Sequence, residues 1–248
     1  MCLLFSVSCH PSTIGGFEIS ADYPGPAMDL LDTHLGAACS LFLQGAGGDT
    51  KACVIGEGEK WRGGTWEEVA KAGKIVADEV IQVLDAGLTE VKPGIHSALE
   101  EMQWQLEPPP SRADLEAMAA DQQGKETQRL WAQRQIERLD RGQALRTHAP
   151  VLLHGIQLGT GLRLVALEGE AVAGLGLYML DFYKGRGITF PLSYTDGMAM
   201  YLPTSAMIKE GGYEVVSYHE YGQPAQLTEG MEEAIGKGLE KMKSAGVK

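Results

Sequence analysis

Two hydrophobic periods share this chain. Short apolar runs closed by turn residues fall at 3–8, 39–43, 97–106, 149–158, 162–167 and 188–192, and they predict β-strands. Between them, apolar residues recur every three or four positions and predict helices. One spans 26–38, with Pro26 in its first turn and Met28, Leu31 and Leu35 on one face. Thr65-Trp66-Glu67-Glu68 is a capping box opening a second, to about Asp85, with Val69, Val76, Val80 and Leu84 near helical spacing and Gly87 as its stop. Ser111 with Asp114 caps a third. Mixed-sign charges over 126–141 predict a fourth, with a solvated outer face. Residues 171–183 and 228–245 supply two more. Gly159-Thr160-Gly161 turns one strand into the next, and Pro108 to Pro110 form a rigid spacer. No internal repeat interrupts this order. Strands alternating with helices predict an α/β (α+β layered) domain of mixed β-sheets flanked by helices.

Three places break the pattern. Residues 194–214, YTDGMAMYLPTSAMIKEGGYE, are polar and aromatic where a core segment would be apolar. They hold Tyr194, Tyr201 and Tyr213, a Leu202-Pro203 turn and a Gly211-Gly212 break. Such a loop suits side chains aimed from a rigid frame. The strand at 39–43 runs into Gln44-Gly45-Ala46-Gly47-Gly48-Asp49-Thr50, which reads either as an anion-binding nest or as a tight turn. Its spacing to Lys51 is not that of a Walker loop. Finally, His10 sits at a strand tip, because Pro11 ends the pairing.

Composition narrows the function. The chain is 44% hydrophobic and 22% charged, as folded globular proteins are, and its net charge of −12 excludes a nucleic-acid surface and charge-driven binding to anionic membranes. No run reaches the length of a transmembrane helix, and the N-terminus lacks the basic region of a signal peptide. Cys2, Cys9, Cys39 and Cys53 lack paired metal-binding spacing and are expected to be small buried hydrophobes. Met198 and Met200 read as core filler, and His219 as a surface residue. Asp22 and Asp49 are suited to fixing turns.

Six segments, FSVSCHPSTIGG, ISADYPGPAMDLL, LFLQGAGGDT, LRLVALEGEAVAG, YTDGMAMYLPT and EGGYEV, occur in an order that resembles the neutral/alkaline ceramidase family. The resemblance spans nearly the whole chain and implies a zinc amidohydrolase. By it, His10 of the His-Pro motif, Glu170 of the Gly-Glu motif and Tyr201 of YTDGMAMY would be metal ligands. Tyr213 of GGYE would help polarise the amide carbonyl, while Asp49 and Lys51 stand in the Gly-Asp loop beside the site. Imidazole, carboxylate and phenolate are acceptable zinc ligands, and zinc can activate a water to attack an amide or ester carbonyl.

Two departures shape the expectation. The family's other zinc histidine, in a THTH-like motif, falls upstream of His10 and has no counterpart, so zinc is expected to bind weakly or not at all. The family's catalytic serine position holds Lys51, which leaves ceramide itself an unsafe substrate. Residues 1–248 are thus expected to be a single partial ceramidase-like catalytic domain without its N-terminal half and without the family's C-terminal immunoglobulin-like domain. The expected substrate is a small-molecule or lipid amide or ester. The alternative is an inactive binding or assembly module, or one needing a partner for the missing half. Unpaired sheet edges predict self-association as a homo-oligomer. The compartment stays open, since family members are often exported and this chain shows no leader.

Overall fold

The computed structural model describes residues 2–36 and 39–248. β1 (Cys2–Val7) leads through α1 (Pro24–His34) to β2 (Cys39–Gln44), which pairs with β1 in parallel, Phe5 opposite Phe42. Parallel neighbours need such a crossover. The helix expected over 26–38 starts earlier, with proline in its first turn; residues 37 and 38 lie outside the described residues. α2 (Trp66–Asp85) opens on the expected capping box: Glu68 N donates to Thr65 Oγ1 at 3.3 Å, and Thr65 N donates to Glu68 Oε2 at 2.8 Å. The two helices cover the small sheet through Phe5, Ala27, Leu31 and Ala77. Gly73 permits their approach, since a Cβ there would lie 2.8 Å from the Tyr23 carbonyl oxygen.

The rest of the chain builds around a larger sheet. β3 (Pro93–Gln105) is followed by α3 (Arg112–Ala120), α4 (Glu126–Asp140), β4 (His148–Gly159), β5 (Leu162–Leu167) and β6 (Glu170–Ala171). Then come α5 (Ala173–Phe182), β7 (Ile188–Leu192), β8 (Tyr201–Leu202), α6 (Ser205–Glu210), α7 (Tyr213–Val216) and α8 (Met231–Ser244). The sheet order is β3-β4-β5-β7, antiparallel except for the parallel β5–β7 pair. One face presents Trp104, Val151, Leu153, Val165 and Leu167 to Leu175 and Met179 of α5 and to Ile235 and Leu239 of α8. Each fully buried aliphatic side chain here contributes about 1.5–3 kcal/mol. The fold is therefore mixed α/β, sheets flanked by helices, as the alternation predicts.

Several expectations need correction. β3 begins four residues before the expected start, because its pairing with β4 extends to Pro93 opposite Gly159. α4 has a solvated face but also buries Trp131, Ala132 and Gln135; Trp131 Nε1 donates to the Gln223 carbonyl at 2.7 Å. The cysteines are not core residues. Cys2 and Cys39 are register partners at the exposed starts of β1 and β2, Cys53 is exposed, Cys9 is half-buried, and all four are free thiols. Met200 is buried but Met198 is exposed. Among the described residues no helix is long and apolar enough to cross a membrane.

Candidate functional site

The segments leaving β1, β2, β5 and β7 meet at one place. The glycine cluster after β2 is what lets them. Gly48 donates its N–H to the Ala171 carbonyl at 2.8 Å, and a Cβ there would lie 2.8 Å from the Glu170 carbonyl oxygen. Thr50 N donates to Gly47 O at 2.9 Å, and Gly45 N to Val7 O at 3.0 Å. Three N–H groups of the cluster are thus engaged by backbone, as in a tight turn. On the other side, Ser193 Oγ donates to the Gly169 carbonyl at 2.6 Å and accepts from Ala171 N at 2.8 Å. β6 then pairs in parallel with β8, Glu170 opposite Tyr201.

His10 is brought to this point from the far end of the chain. Its N–H donates to the Thr50 carbonyl at 2.9 Å, and the preceding carbonyl, of Cys9, accepts from the buried Tyr23 hydroxyl at 2.7 Å. Its Nε2 lies 2.8 Å from Glu170 Oε1. Three tyrosines surround the same carboxylate. Tyr194 donates to Oε1 at 3.3 Å and stands 3.4 Å from the His10 ring nitrogens; Tyr221 donates to Oε2 at 3.0 Å; Tyr201 adds a third phenol. Tyr201 packs edge-on against Tyr213 and Tyr221.

The electrostatics follow from this geometry. The Glu170 hydrogen bond raises the His10 pKa against the opposing effect of burial. Burial pushes the Glu170 carboxyl up, yet hydrogen bonds from His10, Tyr201 and Tyr221 outweigh it and hold it below its ordinary value. Burial first, and Glu170 second, push Tyr194, Tyr201 and Tyr221 well above the usual phenol range. All three are therefore proton donors at neutral pH.

The candidates from sequence fall into two groups. His10, Glu170 and Tyr201 come together. Tyr213 lies at the rim, 52% exposed, its hydroxyl donating to Glu220 Oε2 at 3.0 Å. Asp49 Oδ1 accepts from Ala173 N at 2.7 Å and so caps the start of α5 from a distant loop. Lys51 reaches outward, its Nζ 5.8 Å from the Trp61 ring centroid. Asp22 fixes its turn as expected, accepting from Ile14 N at 3.0 Å and Tyr23 N at 2.7 Å. His219 is buried, not at the surface, because Nδ1 donates to the Val216 carbonyl at 2.7 Å and draws the ring inward. Tyr194 and Tyr221 were missed as partners of Glu170. The tyrosine-rich stretch signals the first; nothing local signals the second.

Among the described residues no three His, Cys, Asp or Glu side chains are placed to hold a metal ion. His10 and Glu170 supply two donors, and a third would have to be a phenol. That set, one imidazole, one carboxylate and one tyrosine oxygen, fits zinc in chemical kind and leaves a coordination position for substrate or water.

No family model matches this chain, and no curated protein matches it in sequence. In fold it is similar to the crystal structure of neutral ceramidase from Pseudomonas aeruginosa, at a TM-score of 0.60 and 12% identity, over 95% of this chain and 42% of that one. The chain thus spans less than half the length of that protein. At this identity the likeness is one of fold, and the fold is ceramidase-like.

Proposed function

We propose that the His10–Glu170–tyrosine cluster is a hydrolytic centre for an amide or ester, including one carried on a lipid. The observation that carries this reading is the 2.8 Å approach of His10 Nε2 to Glu170 Oε1, with the phenols of Tyr194 and Tyr221 on the same carboxylate. Titratable groups gathered together and perturbed in this way mark a functional-site candidate. The ceramidase-like fold supports the same substrate class.

Each residue has a role in this reading. His10, Glu170 and Tyr201 would hold zinc, which when bound supplies Lewis acidity toward a carbonyl oxygen and acidifies water. Glu170 also orients the imidazole. Tyr194 and Tyr221 keep the carboxylate ionised by donating to it. Tyr213, at the rim, is placed to give its proton to a carbonyl oxygen as negative charge develops there, once it leaves Glu220.

The test is zinc content after equilibrium dialysis, paired with hydrolysis of acyl amides. One zinc per chain, lost together with hydrolysis in folded His10→Ala and Tyr201→Phe, is the expected result. A folded protein that binds no zinc and hydrolyses nothing points to the second reading, a binding or assembly module. That reading draws on Asp49 and Lys51, whose polar groups are turned to α5 and Trp61.

A further inference from the structure

A second array lies on the face of the large sheet opposite its core. Ser97 Oγ of β3 stands 3.0 Å from His154 Nε2 of β4, and His154 Nδ1 stands 3.2 Å from Asp196 Oδ2. The three residues come from distant parts of the chain, and no motif links them. Asp196 is held at φ +61°, an uncommon backbone state for a residue other than glycine, which accumulates at functional sites. With the carboxylate at Nδ1, the proton of a neutral ring is fixed there, and Nε2 is left to accept from the serine hydroxyl. Ser97 itself is exposed.

The geometry points to Ser97 as a base-activated nucleophile in a Ser97–His154–Asp196 centre that takes esters with an apolar acyl chain. Nucleophile, base and orienting carboxylate are joined through the correct nitrogens. The register explains the substrate class. Ser97, Ile156, Leu164 and Phe190 form one row across the four strands; Leu99, His154, Ala166 and Leu192 form the next. The array is therefore flanked by the exposed Leu99 and by the half-buried Ile156, Leu164 and Phe190, while Ala166 and Leu192 are buried. Donors for the developing oxyanion are also available. Gln105 accepts from Thr228 N, and Glu107 donates to Gln226 O, both on the outer side of β3. Backbone groups alternate sides along a strand, and the β3–β4 register is unbroken from His96 to Gln105. The N–H groups of Ser97 and Leu99 thus point to the open edge of the sheet.

In the reaction, Ser97 Oγ bonds to the ester carbonyl carbon while its proton passes to His154 Nε2. The alkoxide departs with that proton as its C–O bond breaks. A water then gives a proton to Nε2, its oxygen bonds to the acyl carbon, and Ser97 leaves reprotonated. Ester and water become acid and alcohol.

The centre shares no residue with the His10–Glu170 cluster, and its test reads Ser97 alone. The full chain is treated with an alkyl fluorophosphonate, and the adduct is located by peptide mass spectrometry, with folding followed by circular dichroism. A single phosphonyl adduct on Ser97, formed about a hundredfold more slowly in folded His154→Gln, is the expected result. Asp196→Asn, which keeps the shape but permits the wrong tautomer, is expected to slow labelling as well. Folded wild-type protein with no adduct on Ser97, or equal labelling in His154→Gln, overturns the proposal.

Discussion

Removing the Tyr221 hydroxyl would leave Glu170 Oε2 without its 3.0 Å donor, inside a site where Glu170 is only 6% exposed. Tyr221→Phe is therefore expected to lower unfolding free energy by about 1–2 kcal/mol, measured by urea denaturation. Unchanged stability would show that the bond does not form. His10, Glu170 and Tyr201 were legible in the sequence because each lies in a short distinctive segment. Tyr221 was not, because its role depends on where the chain after α7 returns, and no local pattern encodes that. The Ser97–His154 contact was hidden for a related reason: it exists only in one strand register.

Short elements carry the site, and they are held by single contacts. Glu232, in the first turn of α8, accepts from Ser205 N at 2.9 Å and from Ser205 Oγ, and so ties α6 to the body of the fold. Burial pushes its carboxyl up, but the Ser205 hydrogen bonds outweigh that and lower it. A lowered folded-state pKa gives stability that is present above the ordinary carboxylate range and is lost as pH falls through the lowered value. Glu232→Gln is expected to cost about 1 kcal/mol at neutral pH, after allowing for solvent screening, with the difference from wild type vanishing in acid. Denaturation at several pH values checks this, and a difference independent of pH would contradict it. Gly48→Ala would press a Cβ against the Glu170 carbonyl, at a cost of about 1–3 kcal/mol, and should also weaken zinc binding by shifting β6. A Gly48→Ala protein as stable as wild type would remove the close-packing account of the loop. The capped helices were legible because their caps are local. The two-residue β6–β8 ladder was not, since two residues carry no period.

At the scale of the whole molecule, the layered α/β arrangement followed from the alternation of periods, while the join between the sheets did not. That join rests on backbone contacts around Gly45 and Gly48, where the absence of side chains is the message. The outer sheet face and the open β3 edge leave Leu99 and Ile188 exposed, which favours association against a net charge of −12. Self-association that strengthens with salt and weakens in Leu99→Lys is expected by light scattering; a monomer at all salt concentrations would contradict it. Hydrolysis requires the buried His10–Glu170 cluster to be a working centre. Its most direct test is hydrolysis of a fatty-acyl amide, in zinc-supplemented buffer, by folded wild type, His10→Ala and Tyr201→Phe. Turnover by wild type that disappears in both variants is the result the account requires. Turnover that survives the loss of His10, or none in wild type carrying bound zinc, would contradict it.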